Sequence, residues 1–134
     1  MSSTIDKLAW VRVENGRVLC ACSRGKDLYY VPGGKRDPGE SDAQALIREV
    51  SEELTVRLKP ESIAYYGTFQ AQAHGKPEGV MVQMTCYTAD YEGTLVPASE
   101  VAEIAWLSYA ERDRVSGAGQ LIFDHLKEKG LLGA

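Results

Sequence analysis

Four glutamates and one arginine of a short segment have types and spacing that could do chemistry: Glu40, Arg48, Glu49, Glu52 and Glu53. In a helix Glu49, Glu52 and Glu53 would span an arc of about 100° beside the apolar face. Crowded carboxylates repel one another unless a cation lies among them. Mg²⁺ and Mn²⁺ prefer such oxygen ligands, and Mg²⁺ often completes its shell with substrate phosphates. The residues indicate a divalent metal site for a phosphate ligand, and the alternative is a solvated helix face with an Arg48–Glu52 ion pair.

The helix that must position these side chains is predicted over Asp42–Leu54. Ser41 and Gln44 match the capping-box pattern at its start. Apolar residues recur at three- and four-residue spacing along it and predict one buried stripe: Ala43, Leu46, Ile47, Val50 and Leu54.

Strands are predicted on both sides of this helix. Leu8–Val13 and Arg17–Ser23 form a predicted hairpin around Glu14-Asn15-Gly16. Pro32-Gly33-Gly34 is predicted to be a loop, and so is the turn at Asp37-Pro38-Gly39.

The rest of the chain mixes strands with a second helix. The predicted strands are Ile63–Ala71, Val80–Ala89 and Ile104–Leu107, and the predicted helix is Ala118–Lys129, ended by Gly130. Because strands and helices do not alternate regularly, the pattern favours an α+β fold with a mixed sheet.

Composition limits the function classes. The chain of 134 residues has length for one domain, and its net charge of −4 argues against binding a nucleic-acid backbone. We find no signal peptide and no apolar run long enough to span a membrane. Cys20, Cys22 and Cys86 follow no metal-binding spacing and are expected to be reduced thiols. These features predict a cytoplasmic protein.

The segment 34–56 resembles the signature of the Nudix hydrolases, G-x5-E-x7-R-E-U-x-E-E-x-G-U, where U is aliphatic. Gly34, Glu40, Arg48-Glu49, Glu52-Glu53 and Val56 match it in type and spacing. Thr55 replaces the glycine of the signature, which disfavours a turn with positive φ after the helix.

The resemblance implies a single Nudix domain over residues 1–134, with a mixed β-sheet between helices. It implies a site for Mg²⁺ or Mn²⁺ in which Glu52 and Glu53 are metal ligands and Glu49 is a third ligand or the catalytic base. Arg48 would orient Glu49, and the Gly33 carbonyl would be a further ligand. Glu40 would be a structural carboxylate.

Residues outside the signature are also implied in catalysis or binding. A loop carboxylate often assists in this family, with Glu100 the first candidate, Glu103 the second and a solvated loop charge the alternative. Arg24 resembles a phosphate-contacting arginine, although a solvated strand-end arginine would look the same. Gly33-Gly34-Lys35 resembles MutT-type proteins and adds Lys35 as a substrate contact.

The expected substrate is a small nucleotide. Markers that the family uses for ADP-ribose and dinucleoside polyphosphates are missing downstream, so the resemblance favours MutT-like hydrolysis of a (deoxy)nucleoside triphosphate to monophosphate and pyrophosphate. A pyrophosphatase for NDP-sugars or ADP-ribose and a non-catalytic nucleotide-binding module are the alternatives, and the chain could be a monomer or a homodimer. Trp106 is expected in the core, with stacking on a base as the alternative, and His74 in a loop without a ligand role.

Overall fold

The structure is a computed structural model, and it describes residues 3–73 and 75–133. Its strands are β1 Ser3–Trp10, β2 Val13–Glu14, β3 Arg17–Ser23, β4 Gly33–Gly34, β5 Arg57–Leu58, β6 Ala64–Gln72, β7 Val80–Thr88, β8 Tyr91–Glu92 and β9 Val101–Leu107. The α-helices are α1 Asp42–Leu54 and α2 Gly117–Glu128, and short 3₁₀ helices cover Pro60–Ser62 and Tyr109–Arg114.

The strands form a mixed sheet and a smaller antiparallel one. In the four-stranded sheet, of order β4-β1-β7-β6, β1 pairs parallel with β7 and antiparallel with β4, while β6 pairs antiparallel with β7. A three-stranded sheet has the order β2-β3-β9, and β5 pairs with β8. The predicted α+β class with a mixed sheet is confirmed.

The two helices cover opposite faces of these sheets. Helix α1 buries its apolar stripe against Leu8 and Trp10 of β1 and Leu19 of β3. Helix α2 packs in a second cluster that contains Cys20 and Cys86. The sheets therefore lie between the helices, as the family resemblance implied.

The predicted first helix is confirmed over its whole length. It covers Asp42–Leu54, and both hydrogen bonds of the capping box between Ser41 and Gln44 are present. Because a capping box satisfies backbone N–H groups that the first turn leaves unpaired, it fixes where the helix begins.

The predicted hairpin is present, but the bounds of its first strand were wrong. Asn15 and Gly16 have φ values of 54° and 76°, as a tight turn between β2 and β3 requires. The run Leu8–Val13 is divided between two sheets, because β1 pairs with β7 while β2 pairs with β3.

The segment predicted as a loop at Pro32-Gly33-Gly34 contains a short strand. Gly33 and Gly34 pair with Ala9 and Leu8 of β1. Gly33 has φ +149°, and a Cβ atom there would overlap the carbonyl oxygen of Leu8. A glycine is therefore needed for the close approach of these two backbones.

The left-handed turn after α1 forms although Thr55, and not glycine, occupies this position. Thr55 has φ 61° and ψ 23° and ends α1 in the left-handed conformation. Its N–H donates to the carbonyl of Ser51, and its hydroxyl lies 2.6 Å from the carbonyl oxygen of Leu54 and 3.1 Å from that of Thr94. Local hydrogen bonds offset part of the cost of a β-branched residue in this conformation.

The three cysteines are buried and free, as expected. Burial raises the pKa of the Cys86 thiol to about 12 and also raises the pKa of Cys20. In the described ranges, neither helix has the length and apolar character that crossing a bilayer requires.

Candidate active site

Arg48 binds the carboxylates of the signature from the middle of α1. Its Nε and Nη2 atoms lie 2.7 and 2.8 Å from the two carboxylate oxygens of Glu40, a bidentate pair. Arg48 and the N–H of Asp37 hold the pKa of Glu40 down at about 2. Glu40 therefore ties the loop before α1 to the helix, consistent with a structural role.

The same guanidinium group reaches two further glutamates. Nη1 of Arg48 lies 2.8 Å from Glu49 and 2.9 Å from Glu52. Hydrogen bonds to Glu40, Glu49 and Glu52 raise the pKa of Arg48 above its usual value. The hydrogen bond expected between Arg48 and Glu49 is present, and its effect on catalysis stays a prediction.

Gly34 leaves the space that Glu49 occupies. A Cβ atom at Gly34 would lie 2.5 Å from Cδ of Glu49. Since this is far inside van der Waals contact, a larger residue would displace the Glu49 side chain. The first glycine of the signature thus leaves room for the side chain of Glu49, one of the glutamates of the signature.

Glu53 lies in the interior, deeper than the position beside the apolar face that was predicted for all three glutamates of α1. Its relative exposure is 3%, and it is the one charged residue in the buried set of the described chain. The N–H of Gly33 donates to Oε1 at 3.1 Å, and the hydroxyl of Tyr30 to Oε2 at 3.4 Å. Glu53 therefore faces β4 and β3, away from Arg48.

The surroundings of Glu53 disfavour its negative charge. Burial, followed by the neighbouring carboxylates of Glu49 and Glu100, raises the pKa of Glu53 to about 7 against the opposing effect of the Gly33 N–H and the Tyr30 hydroxyl. A cation near Glu53 would remove this penalty.

Glu100 reaches the site through the loop before β9. Ser99 has φ +57°, and its hydroxyl donates to Oε2 of Glu100 at 2.6 Å. The hydrogen bond from Ser99 is the main reason that the pKa of Glu100 is lowered. The charge of Glu100 also helps to raise the pKa of Glu53, so the first loop candidate lies within electrostatic range of Glu53.

Glu103 does not join this group. It lies within β9, opposite Cys22 of β3. Its carboxylate acts instead on Tyr29, whose pKa burial and Glu103 both raise.

Arg24 braces the loop that carries Glu100. Its Nη2 atom donates to the carbonyl of Ser99 at 3.0 Å, and its backbone N–H donates to the carbonyl of Glu100 at 2.8 Å. A guanidinium group has five N–H donors, so this contact leaves others for a substrate. Contact with phosphate stays a prediction.

Two lysines lie near the carboxylates. Lys35 is exposed, and its carbonyl accepts a hydrogen bond from Arg48 at 3.1 Å. Lys7 is half-buried in β1. Burial and the charge of Lys35 lower the pKa of Lys7, whereas Glu53 and Glu49 raise it. Lys7 was not among the predicted site residues. Its place directly before the apolar run that begins at Leu8 was the signal in the sequence for a partly buried lysine.

The donor chemistry of the site fits a hard divalent cation. Glu49, Glu52, Glu53 and the Gly33 carbonyl offer oxygen atoms only, the ligand type that Mg²⁺ and Mn²⁺ prefer. Across residues 3–73 and 75–133, no three acidic, histidine or cysteine side chains are already arranged around one metal position. Arg48 accounts for this, because it holds Glu49 and Glu52 while Glu53 faces the interior.

Two remaining predictions concern aromatic residues. Trp106 is partly buried and packs against the cluster under α1, so it lies at the edge of the core and not within it as expected. His74 lies outside the described residues.

Known proteins with similar sequences point to one family. The family model of the NUDIX domain matches residues 6–123. The CTP pyrophosphohydrolase of Escherichia coli strain K12 is 30% identical over 112 residues, which are 80% of this chain and 78% of that protein.

Solved structures agree with this match. The solution structure of the E. coli ORF135 protein has a TM-score of 0.73 and 25% identity, covering 96% of this chain and 94% of that one. A nudix hydrolase family member from Chromobacterium violaceum has a TM-score of 0.72 and 26% identity, covering 96% and 79%. The MutT NUDIX hydrolase from Burkholderia pseudomallei has a TM-score of 0.73 at 19% identity, covering 92% and 98%. The family match over residues 6–123, together with the carboxylate cluster on α1, shows that this chain belongs to the Nudix hydrolase family.

Proposed function

We propose that the protein hydrolyses (deoxy)nucleoside triphosphates to nucleoside monophosphate and pyrophosphate, using Mg²⁺ or Mn²⁺. The observation that supports this most is the group formed by Glu49, Glu53 and Glu100, where burial, followed by the charges of the other two carboxylates, raises the pKa of Glu53. The relative named CTP pyrophosphohydrolase supports a triphosphate substrate, with a cytidine nucleotide as the first to test.

The metal ligands in this proposal are Glu49, Glu52, Glu53 and the carbonyl oxygen of Gly33. A divalent ion bound there would neutralise the oxygens of the substrate diphosphate. Glu53 would contribute a carboxylate that is already directed by the N–H of Gly33. Glu49 would contribute one that Arg48 restrains.

Proton transfer is assigned to a carboxylate of the same group. Glu49 or Glu100 takes a proton from the attacking water while the oxygen of that water bonds to a phosphorus atom of the substrate. The bond from this phosphorus to the bridging oxygen of the leaving group breaks, and nucleoside monophosphate and pyrophosphate separate. The hydrogen bond from Ser99 lowers the pKa of Glu100, so Glu100 stays ionised at neutral pH but is a weaker base than an ordinary glutamate. Arg48 positions Glu49 and does not need to touch the substrate.

Cationic side chains at the edge of the site would bind the phosphates. Lys35 lies directly after β4, and Lys7 is close enough for the charges of Glu49 and Glu53 to affect it. Arg24 bonds to the carbonyl of Ser99 in the loop that carries Glu100, and its guanidinium group has further donors that could bind phosphate. We propose these three residues as phosphate contacts.

The test is a panel of nucleotides assayed for pyrophosphate and monophosphate release, with Mg²⁺ and with EDTA. The panel includes CTP, the other common ribo- and deoxyribonucleoside triphosphates, NDP-sugars and ADP-ribose. We expect metal-dependent pyrophosphate release from at least one triphosphate. Glu61→Gln is the matched control for glutamate-to-glutamine variants of the site and should retain the activity of the parent, because Glu61 is an exposed carboxylate in the 3₁₀ helix Pro60–Ser62.

Other outcomes would replace the proposal. Monophosphate formed only from NDP-sugars or ADP-ribose would contradict a triphosphate substrate. Nucleotide binding without turnover under any metal condition would indicate a binding module.

We also propose a single Nudix domain over residues 1–134 and a cytoplasmic location. The family match over residues 6–123 supports the first. Three buried, free thiols support the second, since the cytosol keeps thiols reduced.

A further inference from the structure

Tyr30 links the buried carboxylate of Glu53 to strand β3. Its backbone forms two hydrogen bonds with Ala21 of β3, each 2.8 Å long. Its hydroxyl oxygen accepts a hydrogen bond from Oγ of Ser23 at 3.1 Å and donates to Oε2 of Glu53 at 3.4 Å. The three side chains form a chain of hydrogen bonds from the sheet to α1.

The path of β3 places Ser23 where it can hold Tyr30. The pairing of β3 with β9 shifts register between Cys22 and Ser23. Such irregularities are frequent beside active sites. The alternation of side chains along β3 puts Ser23 on the face opposite to Cys22. Cys22 is buried in the cluster under α2, whereas Ser23 bonds to Tyr30 on the side of α1.

The Tyr30 hydroxyl restrains a rotation that the rest of the site leaves free. The last torsion of a glutamate side chain has a broad energy minimum. The N–H of Gly33 holds only Oε1 of Glu53, and Tyr30 is the partner of Oε2 among the described residues. With both oxygens bonded, the plane of the carboxylate is set before any ligand arrives.

We propose that Tyr30, held by Ser23, is a positioning residue that fixes the Glu53 carboxylate for binding a divalent metal. This inference rests on the proposed function in taking Glu53 as a metal ligand. It assigns Tyr30 no contact with the substrate and no proton transfer.

The experiment compares Tyr30→Phe with the parent protein. Mn²⁺ binding is measured on the nucleotide-free protein by the electron paramagnetic resonance signal of unbound Mn²⁺. We expect Tyr30→Phe to weaken Mn²⁺ affinity by about three- to tenfold, the size of effect for one ordinary hydrogen bond, because the contact to Glu53 is long at 3.4 Å. On the best nucleotide of the panel, kcat should fall by a similar factor while KM stays within about twofold.

Two variants sharpen the result. Tyr29→Phe is the matched control: it removes the hydroxyl of the neighbouring tyrosine, which lies by Glu103, and Mn²⁺ affinity should not change. Ser23→Ala removes the donor that holds Tyr30 and should weaken Mn²⁺ binding by a smaller factor. It also provides the test if Tyr30→Phe does not fold.

Unchanged Mn²⁺ affinity in Tyr30→Phe would overturn the inference, and so would a parent that binds no Mn²⁺. A raised KM with unchanged Mn²⁺ affinity would instead make Tyr30 a substrate contact. If the parent binds Mn²⁺ but cleaves no nucleotide, the proposed function fails. The effect of Tyr30→Phe on Mn²⁺ then still decides this inference.

Discussion

Glu52 and Glu53 are neighbours on one helical turn, yet their surroundings are opposite. The side chain of Glu52 is 51% exposed and bonds to Arg48, whereas Glu53 is 3% exposed and bonds to Gly33 and Tyr30. Arg48 compensates the charge of Glu52. Among the described residues the hydrogen-bond donors to Glu53 are neutral, and Lys7 acts on it only by its charge. A bound cation would therefore stabilise the charge of Glu53 more than that of Glu52.

Replacement of Glu53 separates activity from stability. We expect Glu53→Gln to lower kcat by about two orders of magnitude or more, because it removes a proposed metal ligand. Its thermal midpoint in EDTA at pH 8 should not be lower than that of the parent, because glutamine keeps the shape without a buried charge. Steady-state kinetics and thermal unfolding check the two parts. Retention of more than about half the activity would contradict the ligand assignment.

Gly34→Ala tests whether the position of the neighbouring Glu49 side chain matters for catalysis. The new methyl group would meet Cδ of Glu49, a flexible side chain that can move aside. We therefore expect the fold to survive and kcat to fall by about tenfold or more, as expected when a catalytic group is displaced. Circular dichroism and kinetics of the purified variant check this. Normal kcat in the folded variant would show that the position of Glu49 is not critical.

At the scale of secondary-structure elements, the C-terminus of α1 is where the chain departs from its family signature. Thr55 adopts a left-handed conformation that glycine adopts at no steric cost. The backbone of Ala98, in the loop before β9, donates to the carbonyl of Glu53 at 2.9 Å and ties that loop to the last turn of the helix.

Thr55→Gly should therefore stabilise the protein. Relief of the left-handed strain contributes about 1 kcal/mol or slightly more, and loss of the hydroxyl contacts removes part of it. We expect a net gain of about 0.5 kcal/mol in urea unfolding. Thr55→Ala keeps the strain but loses the hydroxyl, and it should be less stable than the parent. A destabilised glycine variant would show that the hydrogen bonds of Thr55 outweigh the strain.

What could be predicted from the sequence depended on the range of the interactions. The bounds of α1 follow from neighbours three or four residues apart, and the prediction was right. The burial of Glu53 depends on Tyr30 and Gly33, more than 19 positions away, which no helical periodicity encodes. The brace from Arg24 to Ser99 joins two strand ends and was missed for the same reason.

At the scale of the whole molecule, side chains away from the candidate site hold the second helix in place. Arg112 forms a bidentate ion pair with Asp124 of α2, at 2.7 and 2.9 Å, and the Tyr109 hydroxyl donates to the same carboxylate at 2.9 Å. These contacts join the 3₁₀ helix Tyr109–Arg114 to α2.

Asp124 makes part of the stability depend on pH. Arg112, followed by Tyr109, holds the pKa of Asp124 below its usual value. The folded state thus releases this proton more readily than the unfolded state. The stabilisation is complete above about pH 5 and is lost as the pH falls below about 4, through the folded pKa.

Asp124→Asn should consequently have a lower thermal midpoint than the parent at pH 7, and the difference should shrink toward pH 3. Thermal unfolding across this range checks the prediction. Asp113→Asn, at an exposed position of the same 3₁₀ helix, is the control and should track the parent. A difference that is independent of pH would rule out the ion pair as its cause.

The parallel pairing of β1 with β7 also limits when β1 can fold during synthesis of the chain. Strand β1 is an inner strand of its sheet, yet its partner β7 ends only at Thr88. During synthesis β1 must wait for most of the chain before its ladder can close, since contacts distant in sequence form late. We expect stalled nascent chains that end at residue 79 to be digested readily by protease. Chains that extend through α2 should resist, and protection of the shorter ones would show that β1 finds its place without β7.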